Sequence, residues 1–389
     1  MHVLMLSMDS SVLTESIGNS RTRHETYAAQ VGRISMVVCN RAKRTALTPY
    51  ASERLFAAPT NSHGYFNYLL DGFRAAMRFH AQQPIDIITT QDPFLTALIG
   101  LALRRRLRIP LIMQINVPVI DNKYFARESR RNVWLQRLAR QTVRYADAVR
   151  VVNHREQEAC IRLGISPDHV CVAPVPPDLT RFKTPAAPDQ IARWRETLDL
   201  SLGTPVVIWV GRPVACKDLP TLLRAFAGVH AAKPDARLII AGDVSGTSIP
   251  ALVNDLGLSS AVRLPGAIRH TDLPALYQIA NIYAHSSYYE AFGVVLLEAS
   301  AAGLPLVSTA SDGACEIIQE GQTGLTVPIG DSEALGRELL ALLDDSARAR
   351  HMGEQACIHV NEHFDPQEMT ARWIGMWRAV ANGELPCAS

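Results

Sequence analysis

Short runs of valine, isoleucine and leucine recur along the chain, and segments of helix length separate them. Apolar runs of this kind are typical of strands buried on both faces. Their alternation with helices indicates parallel sheets joined by helical crossovers. The pattern predicts strands at His2–Leu6, Ile34–Val38, Ile85–Thr89, Leu111–Ile115, Ala148–Val152, Val170–Ala173, Val206–Val210, Arg237–Ala241, Val262–Leu264, Ile282–His285, Leu306–Ser308 and Gly324–Val327.

A proline-rich stretch interrupts this alternation between residues 174 and 190. Closely spaced prolines break regular structure, so we place the domain boundary there. The prediction is an α/β protein with two Rossmann-like parallel-sheet domains, residues 1–180 and 181–365. The remaining residues, 366–389, have helical spacing of their apolar positions and are expected to pack back on the first domain.

The amino-acid composition limits the kinds of molecule that the protein is expected to bind. Of 389 residues, 48% are hydrophobic and 20% charged, which is ordinary for a globular protein. Only 6% are aromatic and the net charge is +2, which argues against a nucleic-acid-binding protein. Residues 1–182 contain 24 Lys and Arg against 14 Asp and Glu, so the first half is basic and the remainder acidic.

The basic residues of the first half concentrate after an apolar helix and along residues 123–144, where they accompany Tyr124, Phe125 and Trp134. A basic amphipathic helix can lie on anionic lipid, so an anionic membrane surface is a candidate partner. An ordinary solvated surface helix is the alternative interpretation.

The cysteines and the first residues of the chain indicate the cellular compartment of the protein. The seven cysteines are odd in number, scattered and without a C-x-x-C pair, which is typical of a reducing cytoplasm. The start of the chain, His2–Leu6, has the pattern of a buried strand and not of a signal peptide. No apolar stretch is long enough to span a bilayer. We expect a cytoplasmic protein, either free or peripheral on the inner face of the plasma membrane.

Several common motifs are absent or weak. The chain lacks G-x-G-x-x-G, the P-loop pattern and G-x-S-x-G, which argues against a dinucleotide-dependent dehydrogenase, a P-loop NTPase and an α/β-hydrolase. His359 to His363 match the zinc-protease pattern H-x-x-E-H. Because a helix stop follows at once, we interpret them as solvated histidines at a helix end and predict no metal site.

The densest cluster of chemically capable residues follows the strand Ile282–His285. Glu290 lies in the loop, Gly293 begins a helix, and Glu298 falls on that helix's second turn. The unpaired first amides of a helix attract anions, and carboxylates suit pairs of sugar hydroxyls. A charge at Glu298, among apolar neighbours, would be costly unpaired, so we expect a ligand to be its partner. Glu290 alone could merely cap the helix.

A second cluster follows the strand Val206–Val210. Gly211, Arg212 and Lys217 come at the carboxyl end of that strand, where open α/β sheets bind ligands. Two cations beside a helix N-terminus would neutralise a diphosphate well, whereas either cation alone would be an ordinary surface charge.

Together these motifs resemble glycosyltransferase family 4, the retaining group 1 sugar transferases of GT-B fold. The matching residues are Gly211-Arg212 with Lys217, Pro265-Gly266 after a strand, Glu290 with Glu298 eight positions on, and Gly303-x-Pro305. The resemblance covers residues 170–335 most strongly. It implies two Rossmann-like domains that face each other across a cleft.

The resemblance also implies roles for individual residues. Arg212 and Lys217 would grip the diphosphate of the donor and Glu290 would bond hydroxyls of the transferred sugar, so these three are the predicted catalytic residues. Glu298 would bond the ribose hydroxyls. The other predicted donor-binding residues are Gly18, Gly266, Ile268, Phe292, Gly293 and Val294.

The implied reaction is retaining transfer of a hexose from a UDP-, GDP- or ADP-sugar to a hydroxyl of a glycan or lipid-linked acceptor, in polysaccharide biosynthesis. No cofactor or metal is expected, which agrees with the lack of an Asp-x-Asp motif. Many family members carry a histidine on the acceptor side, where this chain has Asn116, which cannot titrate near neutrality. Two alternatives therefore stay open: another GT-B enzyme such as a nucleotide-sugar epimerase, or a catalytically silent sugar-nucleotide-binding protein.

Overall fold

The computed structural model describes residues 1–14, 20–41, 46–175 and 177–387, and of residues 65 and 66 the backbone alone. The chain divides into two compact units. The first comprises Met1–Val175 together with Gln367–Ser389, and the second comprises Pro176–Pro366.

The first unit is built on an eight-stranded sheet. Its strands are β1 (His2–Ser7), β2 (Arg33–Val38), β3 (Tyr50–Ala51), β4 (Leu55–Pro59), β5 (Ile87–Thr90), β6 (Leu111–Ile115), β7 (Ala148–Val151) and β8 (Val170–Val172). Its helices are α1 (Ser20–Val31), α2 (Tyr65–Gln82), α3 (Leu95–Leu107), α4 (Lys123–Glu128), α5 (Arg130–Thr142) and α6 (His154–Arg162).

The strand order of this sheet is β3-β4-β2-β1-β5-β6-β7-β8, and every pair is parallel except β3 with β4. The chain leaves β1 to one side toward β2 and returns on the other side with β5. The order therefore reverses between β1 and β5, and the carboxyl ends of these strands border the crevice where open α/β sheets bind ligands.

The second unit repeats the architecture with six parallel strands in the order β11-β10-β9-β12-β13-β14. The reversal lies between β9 and β12. The strands are β9 (Val206–Val210), β10 (Arg237–Ala241), β11 (Val262–Gly266), β12 (Ile282–His285), β13 (Leu306–Thr309) and β14 (Gly324–Val327). The helices are α7 (Thr180–Lys183), α8 (Pro188–Thr197), α9 (Leu219–Ala232), α10 (Ile249–Asp255), α11 (Leu273–Ile279), α12 (Val294–Ala301), α13 (Asp312–Ile317), α14 (Ser332–Asp344) and α15 (Ser346–His363).

All the predicted strands are present, with bounds within two residues of the prediction, and the α/β class with two parallel sheets is confirmed. The sequence did not predict β3 and β4. Strand β3 has only two residues. Strand β4, of sequence LFAAP, contains two alanines and ends in a proline, so it lacks the run of valine, isoleucine and leucine on which the prediction depends.

The last helix, α16 (Pro366–Ala381), packs on the first unit. Trp373 and Trp377 belong to the same buried cluster as Met5 of β1, and the ring of Trp377 meets Tyr27 of α1 edge-on. Arg378 donates to the carbonyl of Gln30 at 3.0 Å. The C-terminal helix is therefore a structural part of the N-terminal sheet domain. Of the helices described, none combines the length and hydropathy that crossing a bilayer requires.

A disulfide joins Cys171 of β8 to Cys387 beyond α16. The seven scattered cysteines, whose pattern we interpreted as typical of a reducing cytoplasm, thus include one bonded pair. The partners lie 216 positions apart, so no local spacing marks them, and only the return of the C-terminal segment to β8 brings them together.

Replacing Trp377 with alanine is expected to destabilise the first unit by about 3–5 kcal/mol, because a fully buried indole is lost from the core. Chemical unfolding measures the loss. Trp134→Ala is the matched control, since that indole is 67% exposed, and it should change stability by less than about 0.5 kcal/mol. Equal losses in the two variants would contradict this account of α16.

Candidate functional site

Two loops meet at the carboxyl ends of β9 and β12, where the strand order of the second sheet reverses. The first, residues 211–217, follows β9, and the second, residues 286–293, follows β12. Tyr288 donates its amide to the carbonyl of Cys216, and the hydroxyl of Ser286 donates to the carbonyl of Lys217, both at 2.8 Å. The two loops thus form one hydrogen-bonded platform.

An ion pair between Lys217 and Glu290 connects the side chains of this platform. Both side chains are largely buried, at 17% and 18% exposure, so water screens the pair only weakly. The structure therefore brings together two of the three predicted catalytic residues. The third, Arg212, is exposed in the loop after β9.

Glycines allow the backbones of neighbouring loops to approach closely at this platform. A Cβ on Gly242, just after β10, would collide with the carbonyl oxygen of Gly211. On the other side, a Cβ on Gly313 would meet the carbonyl of Phe292 at 2.6 Å, and the Gly313 amide donates to the Glu290 carbonyl at 2.7 Å. These contacts fix the loops that carry Arg212 and Glu290.

Gly293 begins α12 in the left-handed conformation, with φ of 84°. The first turn closes with a bond from the Leu296 amide to the Gly293 carbonyl at 2.8 Å. The amides of Val294 and Val295 come before that bond and belong to the positive end of the helix dipole. Val294 is partly exposed and Phe292 is buried, so the predicted residues at this helix start differ in their access to a ligand.

Glu298 is buried on α12 and already has protein partners. Its Oε1 lies 3.0 Å from Nε2 of His270, and its Oε2 accepts from the hydroxyl of Tyr277 at 3.3 Å. Phe182 of α7 covers this group, with its ring edge-on to both His270 and Tyr277. The expectation of a ligand as the partner of this carboxylate did not include these two protein partners.

His270 and Tyr277 are the site residues that sequence reasoning missed. They lie 28 and 21 positions before Glu298, beyond the range of any local motif. Tyr277 lies on α11, whose apolar positions signal only a buried helix. The sequence offered one signal for them: a carboxylate on an apolar helix needs hydrogen-bond partners. That requirement does not indicate which residues the partners are.

His285, the last residue of β12, lies fully buried beside the ion pair. Its Nε2 is 2.8 Å from Oγ of Ser287 and 3.6 Å from Oε2 of Glu290. Within the described ranges its Nδ1 has no hydrogen-bond partner. Burial, with a smaller contribution from the charge of Lys217, holds the pKa of His285 well below its usual 6.5, so the imidazole is neutral at physiological pH.

Three predicted donor-binding residues remain: Gly266 and Ile268 of the second unit, and Gly18. Gly266 ends β11 with φ of 81°, and Ile268 follows it half-buried. Gly18 lies outside the described residues. His359 and His363 lie next to each other on α15, with ring centroids 4.5 Å apart and ring planes inclined at 34°. No group of three or more potential metal-ligating side chains occurs in the part of the chain that the structure describes.

Asn116 belongs to the first unit, one residue beyond β6. Its Nδ2 donates to the carbonyl of Gln91 at 3.0 Å, and its Oδ1 accepts from Nη1 of Arg150 at 3.0 Å. The amide is thus oriented by two protein partners, and one N–H and one lone pair remain available to a ligand.

Comparison with known proteins agrees with this geometry. A family model described as glycosyl transferases group 1 matches residues 190–358, and a glycosyl transferase 4-like domain matches residues 11–176. Sucrose-phosphate synthase from Thermosynechococcus elongatus superposes with a TM-score of 0.82 over 98% of this chain and 100% of that one, at 22% identity. The HepE protein of Anabaena in complex with UDP-glucose gives 0.76 over 96% of this chain and 98% of that one, at 19% identity.

The two parallel-sheet units therefore have the GT-B fold, and the chain belongs to the glycosyl transferases of group 1. Among curated relatives, D-inositol 3-phosphate glycosyltransferase of Corynebacterium kroppenstedtii is 30% identical over 275 residues, which are 68% of this chain and 60% of that protein. The match spans less than two thirds of the length of such relatives.

The buried neutral His285 predicts an acid sensitivity of the second unit. The unfolded chain takes up a proton near pH 6.5 and the folded chain does not, so the free energy of unfolding falls as the pH drops below about 6.5. Urea unfolding between pH 7.5 and 5.5 measures this slope. His285→Asn should reduce the slope by up to about 1.4 kcal/mol per pH unit, and an unchanged slope would contradict the assignment.

Proposed function

We propose that this protein is a retaining glycosyltransferase that moves a hexose from a nucleotide-diphosphate sugar to a hydroxyl of a glycan or lipid-linked acceptor. Family membership supports transfer of a sugar. The observation that carries the proposal is the Lys217–Glu290 pair at the strand-order reversal of the second sheet, with Glu298 on the adjoining helix. One cation and two acids at that place suit a diphosphate that carries a sugar on one side and a ribose on the other.

Donor binding would replace protein partners by substrate groups. The ammonium of Lys217 would pass from Glu290 to the diphosphate, which carries more charge than one carboxylate, and Arg212 would approach from the adjacent loop. Glu290, released from the lysine, would accept hydrogen bonds from sugar hydroxyls. Glu298 would exchange the bond from His270 or Tyr277 for one from a ribose hydroxyl. Each charge would thus keep a partner in both states.

The chemical step would use this positive charge where negative charge develops. The bond between the anomeric carbon and the diphosphate oxygen breaks, and a bond to the acceptor oxygen forms on the same face of the sugar. The acceptor proton passes to the departing diphosphate. Lys217, Arg212 and the amides of Val294 and Val295 would stabilise the leaving group by preorganised electrostatics, a role that needs no metal ion.

The names of similar proteins indicate the chemical class of the donor and of the acceptor. The HepE neighbour was solved with UDP-glucose, and the curated relative is named for a phosphorylated inositol acceptor. These names support a nucleotide sugar as the donor and a polyhydroxylated acceptor. The proposed donor is a UDP-, GDP- or ADP-sugar, and the proposed setting is polysaccharide biosynthesis.

An anionic membrane surface is the proposed site of action, in the cytoplasm. Helix α5 presents Trp134 to solvent at 67% exposure, and the guanidinium of Arg137 lies over its ring at 5.1 Å. Arg130 and Arg144 are exposed at helical spacing on either side of these residues, and Tyr145 follows at 62% exposure. Aromatic rings that alternate with arginines fit the interface between lipid headgroups and acyl chains.

Lys217→Met and Glu298→Gln are expected to lower kcat/KM at least about 100-fold, because each removes a charge-assisted contact to the donor. Initial rates with the best UDP-, GDP- or ADP-sugar measure the effect. Lys233→Met is the matched control, since Lys233 follows the carboxyl end of α9, pairs with Asp344 of α14 and belongs to neither loop of the proposed site.

Full activity in both site variants would refute the proposed site. Tight donor binding by the native chain without turnover on any acceptor would favour the catalytically silent sugar-nucleotide-binding protein instead. Thermal shift with the same nucleotide sugars separates these outcomes, since it reports binding independently of transfer.

Trp134→Ala combined with Arg137→Ala is expected to weaken binding to vesicles that contain anionic phosphatidylglycerol by at least about tenfold, because lipid contact and about 1 kcal/mol per basic residue are lost. Flotation at low and high salt measures the binding. Leu202→Ala combined with Arg74→Ala is the control, since it removes an 89% exposed leucine and an exposed arginine elsewhere. Equal binding by all three proteins would leave α5 an ordinary solvated surface.

A further inference from the structure

A buried guanidinium lies in the first unit, outside the donor site. Arg150 belongs to β7 and is only 2% exposed. Its planar group lies over the ring of Trp373 from α16, with the carbon 4.6 Å from the ring centroid. Arginines are rarely buried this deeply without a paired acid, because the charge loses its hydration.

The hydrogen bonds of Arg150 go to neutral oxygens. Its Nε donates to the carbonyl of Ala173, and its Nη1 donates to Oε1 of Gln114 at 2.9 Å and to Oδ1 of Asn116 at 3.0 Å. A guanidinium carries five N–H groups, so these bonds use three. The two on Nη2 have no acceptor among the residues that the structure describes.

No carboxylate in the described part of the chain compensates this charge. The charged or titratable groups that act on Arg150 are the phenol of Tyr27 and a second guanidinium, Arg23 of α1. Burial, with a smaller contribution from the charge of Arg23, lowers the pKa of Arg150 to about 10. The group stays protonated at neutral pH, and its surroundings are electropositive.

The position of the guanidinium is that of a ligand-binding residue. Asn116 follows β6 directly, and Ala173 follows β8, so their bonds hold the group at the carboxyl edge of the sheet. Gln91, which accepts from Asn116, follows β5 at the strand-order reversal. Ligands of open α/β sheets bind at this edge.

We propose that Arg150 binds a phosphate group of the acceptor through Nη2. One Nη2 N–H can donate a charge-assisted bond to a phosphate oxygen. The guanidinium of Arg23 also acts on Arg150, and two neighbouring cations favour a doubly charged phosphate over a singly charged carboxylate. The remaining N–H of Asn116 would supply a further donor. This inference rests on the proposed function and specifies it: the acceptor of this transferase is phosphorylated.

Calorimetric titration of the full chain with inorganic phosphate and with glycerol 3-phosphate tests the proposal. The native chain should bind both, and Arg150→Met should bind at least about tenfold more weakly, since a charge-assisted bond is lost. Methionine keeps an apolar stem against Trp373, so the variant should fold, with a lower Tm because three acceptors lose their donor. Arg78→Met, which removes an exposed arginine of α2, is the matched control and should bind like the native chain.

The competing outcomes are distinct. Equal phosphate binding by Arg150→Met and the native chain, or no binding by the native chain, would overturn the proposal. If Arg150→Met does not fold, Arg150→Lys keeps the charge and should bind with intermediate affinity; native affinity there would also overturn it. Phosphate binding that saturating UDP abolishes would assign the site to the donor and not to the acceptor.

Titration with nucleotide sugars separates this proposal from the proposed function. Arg150→Met should keep the donor affinity of the native chain. Phosphate binding in a chain that binds no nucleotide sugar would uphold the anion site, while contradicting its assignment to an acceptor.

Discussion

The ion pair between Lys217 and Glu290 joins the loops that follow β9 and β12, two adjacent strands on either side of the strand-order reversal in the second sheet. Two backbone carbonyl bonds, from Tyr288 to Cys216 and from Ser286 to Lys217, hold the same loops together. The pair therefore does not have to position the loops by itself. In the absence of substrate, the pair compensates two largely buried charges. A donor site that is to bind a charged ligand requires this property.

The packing beneath the pair keeps these groups in place. The neutral imidazole of His285 lies against Glu290 without adding a charge, and Gly313 lets the next loop touch the carbonyls of Glu290 and Phe292. Glu298 is oriented separately by His270 and Tyr277. The entropy of these side chains is therefore lost when the chain folds and not when the substrate binds. The substrate groups then find hydrogen-bond donors and acceptors that are already oriented. Arg150 in the first unit has neutral partners only, whereas Lys217 and Glu290 pair with each other.

Much of the fold could be predicted from the sequence, because each central strand is an apolar run that must be buried on both faces. Strand β3 escaped prediction because it has only two residues, and β4 because it contains two alanines and a final proline where a central strand carries branched apolar residues. In the site, Lys217 and Glu290 were found because each follows a central strand, and residues at the carboxyl ends of such strands converge. His270, Tyr277 and Arg150 were not found, because their roles depend on contacts between residues far apart in the chain. The same holds for the disulfide between Cys171 and Cys387.

A crystal structure of the chain with a bound nucleotide sugar would test the central claim most directly, since it shows which partner Lys217 chooses. The account predicts the ammonium of Lys217 within hydrogen-bond distance of a diphosphate oxygen and the Glu290 carboxylate on a hydroxyl of the sugar. A bound donor elsewhere in the molecule, with Lys217 and Glu290 still paired to each other, would contradict it.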